Sequence, residues 1–114
     1  MLQYTPTINF TRGVFMSGGT FDHDQYRLGY IADIIGDYIY HNNSQETLMN
    51  GYKRYSSFSD ETISKFQDAV ILLEIAQIYA QRIDYLLAGD DGEETFHERL
   101  DKELKTYGRI KDED

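Results

Sequence analysis

The sequence predicts a mainly α fold: a small helical bundle with a long central helix, an antiparallel C-terminal helix and one N-terminal helix, preceded by a short extended or hairpin segment. Residues 60–87 hold a helical period without interruption. Residues 22–40 and 93–107 repeat apolar positions at three- and four-residue spacing. The turn-forming clusters His41-Asn42-Asn43-Ser44 and Gly89-Asp90-Asp91-Gly92 separate these stretches.

The first 16 residues are poor in helix signals. Thr5, Pro6, Thr7, Ile8, Phe10, Val14 and Phe15 favour extended backbone, and Arg12-Gly13 suits a turn. Residues 1–20 are therefore expected as an extended segment, running into Ser17-Gly18-Gly19-Thr20. Thr20 or Asp22 can cap a helix from about Asp22 to Tyr40. On that helix Leu28, Ile31, Ile34, Ile35, Tyr38 and Ile39 read as the core stripe, and Gly29, Ala32 and Gly36 as a strip allowing close packing. Its far side gathers Asp22, Tyr26, Tyr30, Asp33, Asp37 and Tyr40 within about 80° of the helical wheel.

Glu46 to Met49 suits a short helix ending near Asn50-Gly51, with Tyr52, Tyr55 and Phe58 turned to the core. The central helix follows from Asp60 to Leu87. Ser59 is its expected N-cap, Asp60 and Glu61 face the helix dipole, and Gly89 suits the position just beyond the C-cap. Phe66, Ala69, Leu73, Ala76, Ala80, Ile83 and Leu87 form its apolar stripe, leaving Gln67, Glu74, Gln77 and Gln81 as the narrow polar seam. Asp91 as N-cap with Glu94 three residues on resembles a capping box for the last helix, which Gly108 is expected to end. The polar residues 109–114 should form a tail, and the whole chain, 1–114, one domain.

Composition narrows the function. A net charge of −9 argues against nucleic acid and anionic lipid, both of which need a basic footprint, and favours a basic protein partner. The N-terminal MLQYTPTINF has neither a basic nor an apolar signal region, and no apolar run reaches about 18 residues, so no membrane association is expected. The chain has no cysteine and thus no thiolate chemistry. Glu94-x-x-His97 has the spacing of a bundle metal ligand pair, but it occurs once, so no metal and no cofactor are expected. No motif joins a nucleophile to a base, which speaks against an enzyme.

Two surfaces remain. Tyrosine gives stiff amphipathic contact area, so the Asp22, Tyr26, Tyr30, Asp33, Asp37, Tyr40 face reads as a partner-binding surface. The alternative is a phosphate-bearing ligand such as a nucleotide, held by the Ser17, Gly18, Gly19, Thr20 turn with Arg27 and Arg82. Such turns can offer backbone N–H groups to an anion.

Ser17-Gly18-Gly19-x-Phe21-Asp22-x-x-Gln25-Tyr26-Arg27 and the segment from Gln81-Arg82-Ile83-Asp84-Tyr85-Leu86-Leu87 through Phe96-His97-Glu98-Arg99-Leu100 resemble a family of small uncharacterised phage and prophage proteins. The resemblance covers about a third of the chain and implies no chemistry. It implies a setting: a small acidic protein in the host cytoplasm that occupies a host, defence-related protein. The apolar excess of the central helix adds the expectation of a homo-oligomer, specifically a homodimer.

Overall fold

The computed structural model describes residues 19–112, which form three helices: α1 (Tyr26–Tyr40), α2 (Asp60–Leu87) and α3 (Glu93–Asp112). The fold is all-α, and the described residues contain no strand beyond one isolated antiparallel bridge, Thr47 to Lys53. The expected extended segment 1–20 lies almost wholly outside the described residues. No helix is long and apolar enough to cross a membrane among them.

The central helix forms over the expected span. Ser59 adopts extended backbone, and its hydroxyl accepts the Thr62 amide at 3.3 Å, satisfying one of the donors a helix start leaves unpaired. At the other end Gly89 takes φ +88°, a conformation that costs glycine nothing. This lets the Asp90 amide reach Tyr85 O at 2.9 Å and the Gly89 amide reach Leu86 O at 3.2 Å, the paired bonds of a Schellman stop. The chain then reverses into α3.

Both flanking helices pack on α2 and make no contact with each other. Gln25, just before α1, and Gly29 within it lie beside Gln81 and Gln77, so α1 runs antiparallel to α2. Tyr107 of α3 donates to Glu74 at 2.6 Å while Glu103 stands beside Arg82, which makes α3 antiparallel as well. The architecture is thus a long rod with one helix laid along each of two sides.

The rotation of α1 differs from the expected one. Only part of the expected stripe turns inward: Leu28, Ile35 and Ile39 are half-buried, whereas Ile31, Ile34 and Tyr38 are exposed. The small-residue side faces α2, with Ala32 only 1 % exposed and a Cβ on Gly29 meeting the Gln77 side chain. Gly36 has open space and does not share this contact. The cause is polar: Gln25 is buried against the α2 seam and fixes which side of α1 looks inward. The seam expected to face water, Gln77 and Gln81, therefore receives α1, and the apolar side at Leu72, Tyr79 and Leu87 is left exposed.

Other boundaries also move. The first helix starts at Tyr26, four residues after the expected Asp22, because Asp22 and His23 adopt left-handed backbone at φ 53° and 66°. Neither Thr20 nor Asp22 caps it; the N-cap residue is Gln25, whose side chain points to α2 instead. Residues 46–49 form no helix. Leu48 donates its amide to Tyr52 O at 2.7 Å, Gly51 closes on Leu48 O at 2.9 Å and adopts φ +91°, so Asn50-Gly51 makes a hairpin turn with a glycine bulge. Tyr52 stays in solvent, while Tyr55 and Phe58 find aromatic partners in His41 and Phe66. Gly108 does not end α3, which continues to Asp112, since an interior glycine weakens a helix by only about 1 kcal/mol.

Candidate functional site

The outer face of α1 keeps the expected register from Tyr26 onward. Tyr26, Tyr30, Asp33, Asp37 and Tyr40 are all exposed, Tyr30 to 67 % and Tyr40 to 83 %. Asp22 is exposed too, but it precedes the helix in left-handed backbone and so stands outside that register. The phenols do not fold down over the core. Tyr26 stacks only on His23, at 6.0 Å between ring centroids.

This face continues into a cleft that the periodicity does not reveal. Asp33, Ile34, Asp37 and Tyr38 of α1 and Leu48, Arg54 and Tyr55 of the 44–58 loop line this open cleft of about 590 Å³. The loop is fastened to the end of α1 by Asn42, whose side chain accepts the Phe58 amide at 2.8 Å and donates to Phe58 O at 3.1 Å. The Tyr55 ring stacks on His41 at 4.2 Å and 9°, and meets Tyr38 edge-on at 5.7 Å. Tyr55 Oη donates to Asp37 Oδ2 at 3.5 Å, and His41 Nδ1 lies 3.3 Å from Asp37 Oδ1. Arg54 sits at the rim, 3.8 Å from Glu46 and 5.8 Å from the Tyr55 ring centroid. Tyr55 first, and then the Glu46 carboxylate, hold its guanidinium pKa above its usual value. The one local signal for this cleft was Asn50-Gly51, the hairpin dipeptide that folds the loop back toward α1.

The second candidate, the glycine turn, does hold an anion, and that anion belongs to the chain. Asp84 Oδ1 accepts the Thr20 amide at 2.7 Å and the Phe21 amide at 3.3 Å, while Oδ2 accepts Gln25 Nε2 at 3.2 Å. Gln25 Nε2 also donates to Gln81 Oε1 at 2.6 Å, and Gln25 Oε1 is buried with no hydrogen-bond partner among the described residues. Gly19 lies against the same carboxylate at φ +94°, where a Cβ would come within 2.7 Å of Oδ2. Ser17 and Gly18 are outside the described residues. Thus Gly19 and Thr20 close a joint between the start of α1 and the last turn of α2.

The two arginines assigned to that ligand do not converge on the turn. Arg27 is exposed and pairs with Asp24 at 3.7 Å. Arg82 is two residues before Asp84 and so points about 160° away around α2. There it is buried, 4.5 Å above the Tyr85 ring, 3.5 Å from Asp91 and 3.4 Å from Glu103. Asp91 is not the N-cap of α3, as its spacing suggested; its buried carboxylate lies between Arg82 and Arg99, the latter at 3.1 Å. Two cations on one carboxylate hold it more strongly than a capping amide can.

Alongside this network α2 and α3 leave a second open cleft of about 610 Å³, where Ile78, Arg82, Arg99, Lys102, Tyr107 and Ile110 are among the lining residues. Burial, followed by the hydrogen bond to Glu74, raises the Tyr107 pKa well above that of an ordinary phenol. Among the described residues no group of three or more His, Asp or Glu side chains is gathered to hold a metal ion. His97 and Glu94 belong to no such group. No protein-family model matches the chain, and no curated protein or solved structure is significantly similar to it.

Proposed function

We propose that the protein is a binding module that acts by occupying a basic surface of another protein, through the outer face of α1. The reading rests on one observation: Tyr26, Tyr30, Asp33, Asp37 and Tyr40 stand in solvent together, on a chain of net charge −9. Exposed phenols offer contact area at little entropic cost, and carboxylates between them select a cationic partner. With the phage-like character of the two sequence segments, the partner class is a host, defence-related protein met in the host cytoplasm.

Nucleotide sequestration draws no support from the glycine turn, whose Thr20 and Phe21 amides are taken by Asp84. Self-association has a separate support. Leu72, exposed to 67 %, lies with Tyr79 and Leu87 on the side of α2 that neither helix covers, a face suited to a second copy in a homodimer.

Affinity capture from host lysate with the wild-type protein and with Tyr26→Ala/Asp33→Lys tests the reading. A partner retained by the first and lost by the second supports it; equal capture refutes it. Native mass spectrometry of the same preparations reports the oligomeric state.

A further inference from the structure

Resting on the reading of α1 as a partner-binding face, we propose that the cleft between α1 and the 44–58 loop is a receptor for an arginine side chain presented by the basic partner. The cleft has the parts such a site needs. Asp33 and Asp37 stand one helical turn apart on one wall, the Tyr38 and Tyr55 rings form another, and Ile34 and Leu48 supply apolar surface. A guanidinium is planar, donates along its edge to carboxylates and lies with its face on an aromatic ring; an ammonium does only the first, and without the fork.

The protein's own Arg54 shows the chemistry in place. Its guanidinium rests over Tyr55 at the rim. Its charge is matched by Glu46 at 3.8 Å and His41 lies 3.3 Å from Asp37, so of the two α1 carboxylates Asp33 is the one with no cation beside it among the described residues. Like charges at i, i+4 repel, so a cation inserted between them removes a standing cost.

The receptor is also set before the partner arrives. Tyr55 is held between the His41 ring at 4.2 Å and the Tyr38 edge at 5.7 Å, and its hydroxyl orients Asp37. Rings already fixed lose little freedom on binding, which favours a defined occupant over diffuse attraction to an acidic surface.

Fluorescence anisotropy with a labelled arginine-rich peptide and its lysine counterpart, on the full chain near physiological salt, tests this. The arginine peptide is expected to bind about fivefold tighter, the size of one cation–π contact. Asp33→Asn/Asp37→Asn should weaken the arginine peptide about tenfold relative to Asp68→Asn/Glu98→Gln, which removes the same charge from exposed sites on α2 and α3. Tyr38→Ala should erase the arginine preference while lysine binding stays, with circular dichroism confirming an intact fold, since the Tyr55 faces are already met by His41 and Arg54. Equal binding of the two peptides, or equal loss in both charge variants, overturns the receptor. If the peptides behave alike but Tyr26→Ala/Asp33→Lys still abolishes capture, the receptor fails and the binding face stands. If the arginine preference appears without any α1-dependent capture, the face fails and the receptor stands.

Discussion

Asp84 accepts the Thr20 amide at 2.7 Å, across 64 positions of sequence, and so ties the chain entering α1 to the last turn of α2. The same carboxylate serves Phe21 and Gln25. Asp84→Ala leaves the part-buried Thr20 and Phe21 amides without this acceptor, while Gln25 keeps Gln81, and should cost about 3 kcal/mol, at 1–3 kcal/mol for each unpaired group. Asp84→Asn keeps one acceptor oxygen and should recover part of the loss. Urea midpoints measure both, and a change under 1 kcal/mol in the alanine variant would show that the joint carries little stability.

Asp91 holds two guanidinium groups at 3.5 and 3.1 Å with its own side chain almost fully buried. Removing it leaves buried Arg82 with the half-exposed Glu103 as its one remaining carboxylate neighbour among the described residues. Asp91→Ala should cost about 3–5 kcal/mol, the range for breaking one side of a buried pair. Arg82→Met/Asp91→Leu removes both charges and should be less damaging than Asp91→Ala alone. A double variant that is the less stable of the two contradicts this account.

Tyr107 donates to Glu74 at 2.6 Å, and burial with that bond keeps its phenol protonated to higher pH than usual. The folded state therefore binds this proton more tightly than the unfolded state. Its stabilisation is fully present below the ordinary phenol pKa of about 10 and is lost as pH rises through the higher folded value. Unfolding midpoints should fall more steeply above about pH 10 in the wild type than in Tyr107→Phe. One of the ten tyrosines should also resist titration when phenolate absorbance is followed. Parallel alkaline profiles for the two proteins exclude this role.

Gly29 and Gly36 sit on one helix but should respond oppositely. Gly36 has no neighbour within 4 Å of an added Cβ, so Gly36→Ala should stabilise by about 0.5–1 kcal/mol through helix propensity alone. At Gly29 the methyl group meets Gln77, which must move from the α1–α2 contact. Gly29→Ala should forfeit the gain or reverse it. Thermal melts of the two single variants decide, and equal stabilisation removes the close approach as an explanation.

How much of this was legible in the sequence follows from where each element's partners lie. The central helix was readable to the residue because Ser59, Asp60 and Gly89 act within one turn of their own backbone. The start of α1 was not: Thr20 and Asp22 look like caps locally, but Asp84 far along the chain takes the Thr20 amide. Asp91 also looks like a local cap, but Arg82 and Arg99 take its carboxylate. The rotation of α1 was hidden because periodicity ranks faces by apolarity, and here buried Gln25 decides the inward side. The aspartate and tyrosine face from Tyr26 to Tyr40 was visible from the helical wheel alone; its extension into a cleft depended on how the 44–58 loop turns back.

The described helices are joined through Gln25, Arg82, Asp84 and Asp91, all buried, while Ala32 is the one fully buried apolar side chain among them. Heat capacity follows apolar surface with a positive sign and polar surface with a negative one. Opening these junctions should therefore change the heat capacity by less than the usual ~12–15 cal/mol/K per residue. A shallow stability curve follows, with weak cold sensitivity and a broad thermal plateau. Temperature would then be a poor lever on this fold, and proton concentration and ionic strength the effective ones.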